Sequence, residues 1–302
     1  MPGEAGRDDR GRAGARPRLR CALLGYGRIG RLIAAGLAAR PDGPELVGIL
    51  TRAGRGTAAG TAAGEVSLGS LSPDALSPAA VSPDVPEAGL ACAALDDLVA
   101  RRPDMVVECA STAALVGTAP VLLAAGIDMI PLSLAAFADP AGESVLRAAA
   151  DRGPGRILVP SGAVGALGLL AAAAAAGLDS VRFVQSYPPA VWRRTPAATM
   201  VDLDRLDGPV AFFRGSARAA ARLFPHNLNA ATGIALAGLG LDATEVELIA
   251  DPNLPGVRYE LAAEAATGPI RLVIGPRPDP GPDLTAYSVL ALLAGRAAAI
   301  AL

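Results

Sequence analysis

The run Cys21-Ala-Leu-Leu-Gly25-Tyr-Gly27-Arg28-Ile29-Gly30-Arg31 sets three glycines in a Gly-x-Gly-x-x-Gly spacing between an apolar stretch and an alanine-rich one. Each glycine has a task that a side chain would defeat. Gly25 makes a tight turn, Gly27 lets the backbone approach a pyrophosphate, and Gly30 lets a helix pack close on a strand. The N–H groups opening that helix, at Arg28 and Ile29, then face the phosphates. The chemistry this implies is binding of a dinucleotide.

Which dinucleotide depends on the tip of the next strand, read as Glu45-Leu-Val-Gly-Ile-Leu50. An acid placed about 20 residues after the fingerprint bonds the ribose 2′-hydroxyl of NAD and repels a 2′-phosphate. Here the tip is Thr51-Arg52, with Arg55 close behind. A guanidinium matches phosphate in geometry and charge, so NADP is the expected cofactor and NAD a possible one. The plainer reading of these arginines is solvated loop charge.

These residues need a frame that alternates strand and helix. Residues 18–24 read as a buried parallel strand, and Ile29, Leu32, Ile33 and Leu37 follow at helical spacing. Further strands are expected at 103–108 and 128–131, with helices at 95–98 and 112–125. That alternation predicts an α/β fold: an N-terminal Rossmann domain over 18–132, with residues 53–90, rich in Gly, Ala, Ser and Pro, as an extended connection. After Ser133 the order changes. Helices at 143–151, 163–176 and 225–240 and strands at 156–159, 180–185, 246–250 and 258–263 predict an inserted α+β substrate and dimerisation domain over 133–283. Residues 284–302 read as a C-terminal helix returning to the Rossmann domain, and 1–17 as a disordered tail.

Composition narrows the function classes. The chain has 302 residues, 52% of them hydrophobic, which is enough for two domains with a substantial core. Its net charge of -2 gives no basic field for nucleic acid. The first 17 residues lack the apolar core of a signal peptide, and Val164 to Leu178, the nearest approach to a membrane span, is broken by Gly165, Gly168 and Gly177. Cys21, Cys92 and Cys109 lack metal-ligand spacing, so no metal is expected and a reducing, cytoplasmic location is. All 27 basic residues are arginine, which argues against lysine-dependent chemistry, that of sugar and polyol dehydrogenases included.

Several further segments, taken in order, resemble the L-aspartate dehydrogenase family. They are Val107-Glu-Cys-Ala-Ser111, Leu132-Ser-Leu-Ala-Ala-Phe-Ala-Asp139, Pro160-Ser-Gly-Ala-Val-Gly165, Tyr187-Pro-Pro-Ala-Val-Trp192, Phe224-Pro-His-Asn-Leu-Asn-Ala-Ala231 and Ala250-Asp-Pro252. The resemblance implies hydride transfer between the Cα of an amino acid and a nicotinamide, with an imine that water opens to ammonia and a 2-oxo acid. It implies that Cys109, Ala110, Ser111 and Ser133 line the nicotinamide side. Ser161, Gly162 and Ala163 would form the floor between domains, and Asn227 and Asn229 would orient substrate. Helix capping is the alternative for the asparagines. Trp192 would close over substrate with Arg193 and Arg194, or else pack between elements.

The departures from the family are informative. Its segment Asp-Pro-x-Val-x-x-Asn-x-His carries a catalytic histidine, whereas the matching stretch here is Asp251-Pro-Asn-Leu-Pro-Gly-Val257-Arg-Tyr259. Tyr259 takes the histidine position, Val257 that of the asparagine, Gly168 that of an aspartate, and Pro280-Gly-Pro282 that of Lys-Thr-Ser. The only histidine, His226, lies beside an expected helix start. Tyr259 and His226 are therefore the two candidates for proton transfer. A phenol titrating at about 10 donates better than it accepts. The reading is an NAD(P)-dependent oxidoreductase acting on the C–N bond of a small amino or imino acid other than aspartate, as a homodimer without nucleic-acid or membrane partners. The alternative is a dinucleotide-binding sensor or accessory protein without turnover.

Overall fold

The computed structural model describes residues 17–51, 89–278 and 282–300. The tail expected at 1–17 lies outside the described residues except for Pro17, as do Arg52, Arg55 and nearly all of the 53–90 connection.

β1 (Arg20–Leu24) is apolar after its first residue, and Cys21, Ala22 and Leu23 are fully buried, as a strand covered on both faces requires. It is the middle strand of an all-parallel sheet with β2 (Glu45–Leu50), β3 (Ala91–Cys92), β4 (Met105–Glu108) and β5 (Asp128–Pro131), in the order β3-β2-β1-β4-β5. Strand order reverses between β1 and β4, and ligands of such sheets bind outside the carboxyl ends of the strands at that point. The connections are α1 (Arg28–Ala38), α2 (Leu95–Ala100) and α3 (Thr112–Ala124). α4 (Pro140–Arg152) starts where the Asp139 carboxylate accepts from Gly142 N and proline occupies the first helical position.

The first sheet holds the chain further than residue 132. Ile157 forms a parallel bridge to Met129, with Met129 N donating to Arg156 O and Leu158 N to Met129 O. The strand expected at 156–159 is reduced to that bridge at the edge of the Rossmann sheet, and does not open the second domain.

The second sheet contains β6 (Leu178–Tyr187), β7 (Val210–Ser216), β8 (Glu245–Ala250), β9 (Gly256–Ala265) and β10 (Ile270–Pro278), in the order β10-β9-β6-β8-β7. β6 and β8 run parallel and the other pairs antiparallel. Sequence reading misses β7 and β10, because Gly215 and the Gly275-Pro276 pair carry turn signals inside them. α5 (Leu167–Ala176), α7 (Ala217–Leu223) and α8 (Asn229–Ala237) accompany this sheet, with α6 (Pro189–Trp192) after β6. The helix expected from 163 begins later because Gly162 and Gly165 adopt φ of 59° and 76°, which keeps 161–165 in a turn.

α9 (Leu284–Ala297) leaves the second sheet and packs on α1, with Leu290 lying against Gly36. The first sheet, α1 and α9 thus share one apolar cluster of Leu23, Ile33, Leu37, Val289, Leu290 and Leu293.

Candidate functional site

The glycine loop follows β1 at the reversal point. Gly25 has φ 105°, and a Cβ there would stand 2.8 Å from Cys109 O; a Cβ at Gly30 would stand 2.6 Å from Gly25 O. Protein packing therefore demands both glycines. Gly27 differs, for a Cβ there would meet no heavy atom within 4 Å. The space beside it is open. Gly27 is also the N-cap of α1, with no side chain capping the helix and no acid in its first turn. The opening N–H groups, at Arg28 and Ile29 among others, lack intrahelical acceptors and carry the positive end of the helix dipole. An open, uncapped helix start beside an unfilled Cβ position fits a dinucleotide pyrophosphate. Arg28 is engaged sideways: its guanidinium is 2.6 Å from Asp283, whose other oxygen accepts from Thr285 N at the start of α9.

Beside the loop, β4 ends in the fully buried Glu108. Its carboxylate accepts from Ala110 N at 2.7 Å, Ser111 N at 2.9 Å, Ser133 N at 3.0 Å and Ser133 Oγ at 2.9 Å. Four donors on one carboxylate fix the turns leaving β4 and β5, so Ala110, Ser111 and Ser133 are held together along the strand ends. Ser111 also caps α3, accepting from Ala114 N. The Cys109 thiol is turned toward the glycine loop. It donates to Gly25 O, and burial followed by the Glu108 charge pushes its pKa up to about 12. It stays a thiol, which leaves no role as a base.

The second domain contributes a tyrosine pair. Gln185 of β6 faces Tyr259 of β9 in register, and Tyr187, two residues on, lies on the same face. The two hydroxyls are 2.9 Å apart and the rings meet nearly edge to face at 76°. Burial raises both pKa values, that of Tyr187 further, so both rings stay protonated. Arg277 from β10 lies over the Tyr259 ring, 5.4 Å from its centroid, and favours ionisation of both tyrosines, while Asp283 opposes it. Through Asp283 and Arg28 this group adjoins the glycine loop. Tyr187, Arg277 and Asp283 are missed by sequence reasoning, because their proximity depends on the β6–β9–β10 pairing and on the return of α9.

The remaining expected residues are spread more widely. Gly162 N donates to Ser288 Oγ of α9, which places the Ser161, Gly162 and Ala163 turn against the helix that follows Asp283. Asn229 Oδ1 accepts from Ala135 N and ties α8 to the loop after β5, while Asn227 offers its backbone oxygen to Gln185 Nε2. His226 is exposed on the loop before α8. Trp192 is wholly buried against Tyr187, Phe212 and Phe224, with its indole N–H donated to Ile249 O. This corrects the expectation of a substrate-closing tryptophan: apolar packing has taken its whole surface. Arg193 pairs with Asp204 at the surface.

Among protein-family models, residues 168–296 match the C-terminal domain of aspartate dehydrogenase, and residues 25–160 match the NAD binding domain of homoserine dehydrogenase. The chain is 41% identical over 287 residues to the L-aspartate dehydrogenase of Ruegeria pomeroyi, covering 94% of each chain. It is 42% identical over 205 residues to that of Pseudomonas aeruginosa, covering 67% of this chain and 77% of the relative. The crystal structure of aspartate dehydrogenase from Thermotoga maritima superposes with a TM-score of 0.64 at 23% identity, over 94% of this chain and 99% of that one, a likeness of fold.

Proposed function

Since the chain belongs to the L-aspartate dehydrogenase family, we propose that this NAD(P)-dependent oxidoreductase works at the C–N bond of a small amino or imino acid, with the Tyr259 hydroxyl as its proton donor. The observation that carries the reading is the Tyr187–Tyr259 hydroxyl contact at 2.9 Å, set beside the glycine loop through Arg277, Asp283 and Arg28.

A bound nicotinamide dinucleotide supplies or accepts the hydride. The work of the chain is to bind, orient and move protons. Gly25, Gly27 and Gly30 with the start of α1 take the pyrophosphate, and the Glu108 knot holds the Cys109 to Ser111 turn and Ser133 at the strand ends. Either hydroxyl can donate across the 2.9 Å contact, and with Tyr187 as the donor the Tyr259 proton is left for the substrate. In the reductive direction that proton meets nitrogen or oxygen of the substrate as charge develops there. A protonated phenol does not activate water readily, so imine hydrolysis is the step this site serves least. His226, exposed at the α8 loop, is the second candidate for moving a proton to solvent.

Relatives named for L-aspartate make it the first substrate to test, and the expectation of a different substrate rests on the departures at Tyr259, Val257, Gly168 and 280–282. The preference for NADP rests on Arg52. The homodimer expected from the second domain belongs to the same reading, and equilibrium sedimentation measures it.

The deciding experiment follows NADPH and NADH oxidation over 2-oxo acids with ammonia, oxaloacetate included, and over preformed cyclic imines. Turnover in one set assigns the reaction. Tight NADPH binding with no turnover in any would leave the sensor reading in its place.

A further inference from the structure

Arg277 is a cation set into the edge of the second domain. Its guanidinium faces the ring of Tyr259, and its Nε is buried without a hydrogen-bond partner among the described residues. The carboxylate of the same group, Asp283, is already spent on Arg28 and on the α9 cap. Among the described residues no carboxylate forms an ion pair with Arg277. By contrast Arg182, Arg214, Arg258 and Arg271, on strands of the same sheet, each reach a glutamate. The contacts of Arg277 with Tyr259 are the ring face and a side-chain hydrogen bond, so most of the guanidinium's N–H donors remain for a planar, two-oxygen anion.

Its surroundings favour a small carboxylate. The Tyr187–Tyr259 pair holds two hydroxyl protons and spends one internally, so one donor remains next to Arg277. The group borders the glycine loop, at the carboxyl ends of the parallel strands. We propose that Arg277 is the specificity-determining residue of this site and anchors the substrate's carboxylate beside the Tyr187–Tyr259 hydroxyl pair. The proposal rests on the functional reading above for the identity of the anion as substrate, but not for its binding.

Trp192, the sole tryptophan, packs 5.2 Å from the Tyr187 ring and gives a local fluorescence signal for the test. Succinate and acetate are titrated into the NADPH-loaded protein, in native form and as Arg277→Gln and Arg277→Lys. Gln should weaken carboxylate affinity by about tenfold or more, and Lys by less, because charge survives while the planar fork is lost. NADPH affinity should stay within about twofold in both, which separates a carboxylate anchor from a cofactor phosphate site. Circular dichroism checks that each variant is folded, and Lys keeps the test open if Gln is not. Equal carboxylate affinity in native and Gln proteins would overturn the inference, and so would failure of the native protein to bind either carboxylate. Carboxylate binding that depends on Arg277, without turnover of any amino acid or imine, would uphold the anchor and defeat the proposed reaction. Turnover with a KM indifferent to Arg277 would do the reverse.

Discussion

Arg28 and Asp283 stand 2.6 Å apart, so the loop that fits a dinucleotide is joined to the cap of the last helix. Asp283 also acts on Tyr187 and Tyr259 through space. One carboxylate thereby links the cofactor loop, the returning helix and the tyrosine pair of the second domain.

The loop glycines should separate by experiment. Gly25→Ala places a side chain at positive φ against Cys109 O and should cost about 2–4 kcal/mol in urea unfolding. Gly27→Ala meets no protein atom and should leave stability within about 0.5 kcal/mol, yet weaken NADPH binding at least tenfold. Undiminished NADPH affinity in Gly27→Ala would show that the open space is not the pyrophosphate cradle.

The proposed preference for NADP rests on Thr51-Arg52 in place of an acid. NADPH should bind more tightly than NADH, and Arg52→Asp should narrow or reverse the difference. Equal affinities for the two cofactors in the native protein would end that argument.

Tyr259→Phe removes a hydroxyl and little volume. Turnover on a verified substrate should fall about 10²-fold or more with NADPH affinity nearly unchanged. If phenylalanine serves equally well, Tyr259 is packing and the proton travels by His226 or water.

Glu108 predicts a pH dependence of stability. Burial outweighs the donors from Ala110, Ser133 and Ser111 and holds its pKa above the usual carboxyl range. A carboxyl raised on folding stabilises the fold fully below its unfolded pKa, and that contribution is lost as pH rises through the folded value. Urea unfolding across that window should therefore show stability declining with pH. Glu108→Gln should flatten the decline and cost about 1–3 kcal/mol, because an amide NH2 then faces Ser133 N–H. An unchanged slope in the variant would assign the titration to another group.

Local chemistry made the cofactor half of this protein readable. The turn glycines, the fully apolar strands and the helical spacing after Gly30 are neighbours in sequence, so steric and burial rules act on them within one βαβ unit. Strands such as β1 and β4, and the presence of a helix over Leu284–Ala297, follow from the same local patterning. Tyr259 drew attention through its place in a family segment, but its partners did not. Tyr187, Arg277 and Asp283 reach it from β6, β10 and the start of α9, and only strand register and domain return bring them together. Trp192 shows the opposite case, since one tryptophan beside two arginines reads as a binding loop until packing reveals it fully buried. Spacing along the chain determined the dinucleotide frame because its contacts are short-range. Tertiary structure decided the proton and anion groups because theirs span strands and domains.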